Sequence, residues 1–113
     1  MINGPIVNSL LRLEGATGTP TLPFERPNPQ IDFFVLELQD DDDLDAWCER
    51  TREILEEYAD YLKSMQAKGV AAFLFVRTYG SYALLRFGPA FLQVLVRLGI
   101  SLEVCCEGPD YGS

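Results

Sequence analysis

The chain contains no histidine among its 113 residues. That removes Ser–His and Cys–His catalysis and the commonest nitrogen ligand for a metal. Long apolar runs are also missing: Arg77, Arg86 and Arg97 break up the apolar second half well short of the roughly 18 residues that a membrane span needs. Met1 to Asn8 has none of the features of a secretory signal, so a cytoplasmic location is expected. Cysteine is sparse and odd in number. Cys48, Cys105 and Cys106 cannot make a disulfide framework, and are expected to be reduced, with Cys48 and Cys106 as small apolar core residues. A vicinal redox pair at Cys105–Cys106 is the alternative. Positive charge is scarce as well, with nine Lys and Arg against seventeen Asp and Glu, a net charge of −8. From Glu37 to Asp60 eleven acidic residues face only Arg50 and Arg52, so that segment carries −9 and the remainder about +1. A field of that sign repels phosphate backbones and anionic membranes, which argues for no nucleic-acid or membrane partner and favours a basic protein.

The clearest pattern present is helical, over Asp42–Lys68. Leu44, Trp47, Cys48, Thr51, Ile54, Leu55, Tyr58, Leu62 and Met65 recur at three- and four-residue intervals, which makes one buried stripe. The opposite side carries Asp45, Glu49, Glu53, Glu56 and Asp60 with Arg52 and Lys63. Asp40 to Asp43 supply N-caps and complement the helix dipole, and Gly69 supplies the C-cap. A calcium loop starting at Asp41 fails, because Ala46 stands where the turn glycine belongs and Arg52 where the bidentate glutamate belongs.

Around this helix the chain reads in order. Ile6–Glu14 is a strand, expected at an edge or the periphery. Residues 16–30 hold four prolines and form a loop, with Leu22 and Phe24 as apolar anchors. Ile31–Leu38 is a strand entering the sheet centre. Val70–Tyr79 and Tyr82–Phe87 form a hairpin at Gly80-Ser81, pairing Thr78 with Ala83, Val76 with Leu85 and Leu74 with Phe87. Its second face would show Phe73, Phe75, Arg77 and Tyr79 beside Tyr82, Leu84 and Arg86. Gly88-Pro89 opens a second helix that Gly99 closes. Ser101–Glu107 is a last strand, and residues 108–113 a polar tail. The expected fold is a single α+β domain over residues 1–113: a ferredoxin-like β-α-β-β-α-β antiparallel sheet with two helices on one face, preceded by the N-terminal strand and the Pro-rich loop.

Leu84-Leu85, Phe91-Leu92, Leu95, Leu98-Gly99-Ile100, Leu102 and Val104, together with Leu11-Arg12-Leu13-Glu14-Gly15, follow a pattern that resembles the bacterial family called domain of unknown function 4279. The resemblance covers about half the chain, and the Pro-rich loop and the acidic start of the long helix depart from it. It implies an α+β fold. No catalytic residue comes with it.

Function is read from what remains. Asp40 to Asp45 sit at an exposed helix start where each stays ionised, which is unsuited to acid–base catalysis, and a thiol nucleophile would lack a histidine base. No catalytic residue, cofactor or metal site is assigned. The aromatic strand spacing faintly resembles an RNA-recognition sheet, but the basic surround is absent. The face of Phe75, Arg77, Tyr79, Tyr82 and Arg86 is therefore either covered, by the Pro-rich loop or by a second copy in a homodimer, or a groove for a ligand. The acidic face of Asp45, Glu49, Glu53, Glu56 and Asp60 is either simply solvated or a docking surface. The leading expectation is a non-catalytic acidic binding protein, of the immunity or inhibitor kind, that covers a basic protein surface. A ligand-binding module or small enzyme using the aromatic and arginine face is the alternative.

Overall fold

Strand choice rather than helix content decides this architecture. The computed structural model describes residues 5–79 and 85–107. Its elements run β1 (Leu10–Glu14), β2 (Phe33–Glu37), α1 (Leu44–Glu57), α2 (Ala59–Ala67), β3 (Ala71–Tyr79), α3 (Pro89–Leu98) and β4 (Ile100–Glu107). The strands form one sheet in the order β2-β1-β3-β4. β1 is antiparallel to both β2 and β3, whereas β3 and β4 are parallel. The fold is thus α+β with a mixed four-stranded sheet. The ferredoxin-like antiparallel order is not what the strands adopt.

Two placements are the reverse of expectation. β1, expected at the periphery, is an inner strand with Leu11 and Leu13 fully buried, while β2, expected at the centre, is an edge. The hairpin partner of β3 is also absent from its described part, since Leu85 to Phe87 are not in a strand. Val76 is opposite Val104 rather than Leu85, and Leu74 lies between Leu11 and Leu102 rather than against Phe87. The reason is that a strand has only two edges, and β1 and β4 take both edges of β3. Gly80-Ser81 and Tyr82 to Leu84 lie outside the described residues, as does the tail 108–113. β4 reaches its parallel position through α3, the crossover that a parallel pair requires.

The helices follow the local signals closely. Asp43 is the N-cap of α1, its side chain accepting the Asp45 N–H at 3.2 Å. Tyr58 (φ −101°, ψ 15°) interrupts the helical angles between α1 and α2. Even so, Tyr58 N–H donates to Ile54 and Leu62 N–H to the Tyr58 carbonyl, so the two segments continue one another. Gly69 (φ +91°) ends this unit, and Gly99 (φ +69°) ends α3, in left-handed conformations that glycine adopts without a Cβ clash.

Alternation along each strand separates two sheet faces. On one, Phe34, Leu11, Leu13, Leu74, Val76 and Ile100 meet Trp47, Leu55 and Leu62 of the first helices and Phe91, Leu95 and Leu98 of α3 in a single core. Leu36 and Leu85 pack at its margin. The Pro-rich loop belongs to this side too. Phe24 is buried against Tyr58 and Tyr61, with ring centroids 5.8 and 5.1 Å away, and Glu25 bridges Val35 along the outer edge of β2. Leu22, the other expected anchor, is exposed.

Candidate functional site

Asp45, Glu49, Glu53, Glu56 and Asp60 all lie exposed along α1 and the start of α2. At about 100° per residue these positions fall within one narrow stripe, opposite Leu44, Thr51, Leu55 and Leu62. Two of the carboxylates are neutralised. Arg52 pairs with Glu49 at 2.8 Å one turn away, and Arg97, arriving from α3, pairs with Glu56. Asp45, Glu53 and Asp60 have no ion pair among the described residues. The acidic run before the helix has structural work. Asp40 accepts the Asn8 N–H at 2.8 Å, Asp41 accepts the Asp43 N–H at 3.0 Å and pairs with Arg50, and Asp43 caps the helix.

Cys48 sits half-buried beside this stripe. Burial, reinforced by Asp45, Glu49 and Asp43, pushes its thiol from the ordinary 9.0 up to about 11, so the thiolate is suppressed at neutral pH. The fold holds this proton more tightly than the unfolded chain does. The associated stability is therefore complete below pH 9 and is lost as pH rises towards about 11. Urea midpoints compared below pH 9 and near pH 11 should fall further for the native chain than for Cys48→Ala. Equal falls would mean that the thiol titrates normally. Cys106, expected in the core, is exposed instead, on β4, an edge strand of the sheet.

On the sheet face away from the core, Phe73 lies under the Arg12 guanidinium (6.0 Å) and Phe75 under that of Arg77 (5.4 Å). Arg12 also pairs with Glu14 at 2.8 Å. The aromatic patch anticipated here is thus largely roofed by arginine stems and cation–π contacts within the sheet. Phe75 and Arg77 are brought together, and Tyr79 stands on the same side at the strand end, 54% exposed. Arg86 lies outside any strand and is exposed, and Tyr82 falls outside the described residues. The Pro-rich loop does not supply the cover, since its buried Phe24 is on the helix side.

Arg77 also borders a cleft of about 420 Å³ with Asn8, Ser9, Glu37, Gln39 and Asp40. Asn8 has a positive φ of 53°, and the strand pairing slips by one residue here: Leu10 opposes Phe75 but Ile6 opposes Thr78. This is a bulge, stitched by Val7 N–H to the Arg77 carbonyl (2.9 Å) and Arg77 N–H to Ser9 Oγ (3.2 Å). Sequence reading missed Asn8 and Ser9. The tolerance of asparagine for left-handed backbone was the one available signal. With two carboxylates around one guanidinium, the cleft gives no net preference for an anion. Among the described residues no group of three or more Cys, Asp or Glu side chains is placed to hold a metal ion, and no helix is long and apolar enough to cross a membrane. No protein-family model, curated protein or solved structure matches this chain.

Proposed function

We propose that the protein is a non-catalytic, cytoplasmic binding protein that presents the acidic face of α1 and α2 to a basic surface on another protein, in the manner of an immunity or inhibitor protein. The observation that carries this reading is the set of exposed carboxylates Asp45, Glu53 and Asp60, which no cation among the described residues pairs with. Like charges spaced four apart on a helix cost a few tenths of a kcal/mol each. A stripe that is only partly compensated, with Arg52 and Arg97 pairing Glu49 and Glu56 alone, suits a surface whose remaining counter-charges arrive with a partner. The raised thiol of Cys48 and the absence of histidine point the same way, since neither leaves an activated nucleophile. The resemblance to domain of unknown function 4279 belongs to the same proposal and adds no activity to it.

The test compares the native chain with a variant carrying Asp45→Asn, Glu49→Gln, Glu53→Gln and Asp60→Asn. The variant is expected to be slightly more stable, through relief of repulsion. It should lose a basic protein that the native chain recovers from cell extract, with the loss lying in a slower and less salt-sensitive association rate. Recovery of the same proteins by both chains would sink the proposal.

A second reading is kept for the Asn8–Ser9 bulge, because a strained residue beside a polar cleft is where a small ligand would be held. The same extract comparison separates the two. A ligand site at the bulge is indifferent to neutralisation of the helix stripe.

A further inference from the structure

The two edges of the sheet are finished differently. Along β2 the loop closes the edge: Glu25 N–H donates to the Val35 carbonyl and Val35 N–H to that of Glu25, both at 2.8 Å. Along β4 nothing among the described residues pairs with the outer side. β4 is eight residues long and pairs with β3 in unbroken register from Ile100 to Glu107, with neither bulge nor proline. Its sequence, Ile-Ser-Leu-Glu-Val-Cys-Cys-Glu, has no lysine or arginine. Long regular edges without bulge, proline or lysine are the ones that add another strand, and the only charges in this one are Glu103 and Glu107. The neighbouring surface is apolar as well. Val104 is 46% exposed, and on α3, the helix that packs on β4, Leu92 and Val96 are 39% and 81% exposed one turn apart.

We infer that β4 pairs antiparallel with β4 of a second copy, giving a two-fold dimer with a continuous eight-stranded sheet. A two-fold axis perpendicular to the sheet keeps the helix side of each copy on the same side. Residues of one face therefore oppose residues of that face, and the pairing must centre on a single residue. Centring on Glu103 sets two carboxylates directly against each other, which is unfavourable. Centring on Leu102 leaves the end of the strand without a partner. Centring on Val104 pairs the strand from Ser101 to Glu107, sets Val104 against its own copy and Leu102 against Cys106, and places Glu103 opposite the neutral Cys105. This register avoids a directly opposed carboxylate pair and leaves the two Glu103 residues as diagonal neighbours across the seam. The acidic stripe does not oppose the pairing, because it lies on α1 and α2, whereas α3 is the helix that packs on β4. Each α3 brings Leu92 and Val96 to the same layer. A strand pair with a few helix side chains is modest beside the roughly 800 Å² per partner of a standard interface, so association should depend on concentration.

Sedimentation of the full chain over a range of concentrations should show reversible dimer formation. Val104→Lys should abolish it with an unchanged circular dichroism spectrum, and Tyr79→Ser, on the other sheet face, should leave it intact. Val104→Cys in a Cys105→Ser, Cys106→Ser background should cross-link to a covalent dimer on mild oxidation, since the new thiols face each other. Three results would overturn the inference: a monomer at every concentration, a dimer that survives Val104→Lys and resists the Val104→Cys cross-link, or a dimer lost on Tyr79→Ser.

Discussion

Trp47→Ala is expected to destabilise the fold by about 3–5 kcal/mol, the range for deleting a buried indole. Trp47 is fully buried, and its ring stands 5.9 Å from that of Phe91, which itself stacks on Phe87 at 5.7 Å. The side chain therefore joins α1 to α3 across the core, and its removal leaves a cavity that two separate helices would have to close. Small domains have about 5–15 kcal/mol in total, so this change would consume a large part of it. Trp47→Phe should behave very differently. The indole N–H has no hydrogen-bond partner among the described residues, so losing it relieves a buried, unsatisfied donor while some ring volume is lost. The net change should be within about 1 kcal/mol. Urea unfolding of both variants checks this. A loss below about 1 kcal/mol for Trp47→Ala would mean that α1 packs through another face.

Leu11→Ala is expected to cost about 2–5 kcal/mol, and Leu10→Ala, on the half-exposed face, under about 1 kcal/mol. Leu11 is fully buried between Leu36 of β2 and Leu74 of β3, directly beneath the helices. The contrast bears on topology. A peripheral first strand would make both changes small, whereas an inner strand makes Leu11 as critical as a helix core residue. Chemical denaturation of the two variants side by side distinguishes the cases, and equal small losses would contradict the strand order.

Helices, caps and the sign of the surface were legible from the chain alone because they depend on residues within one turn or a few of each other. The apolar stripe of Trp47, Leu55 and Leu62, the Asp43 cap, the terminal Gly69 and Gly99 and the exposed carboxylates Asp45 to Asp60 are of this kind. Alternation also showed which side of β3 is buried, as Leu74 and Val76 attest. Partner choice between strands was not legible. A strand offers the same two edges to every other strand, and a local turn such as Gly80-Ser81 is only one bid for them. The competition for β3 was decided by the whole core, in favour of β1 and of β4, which the α3 crossover brings alongside. Long-range pairs share that origin. Arg97 meets Glu56, 41 residues away, and Ser9 meets Arg77, 68 away, only because packing against the sheet brings them together. Local periodicity therefore determined the helices and their buried stripes, and tertiary packing alone decided the strand order, which sheet edge has no partner among the described residues and which acidic residues have no ion pair among them.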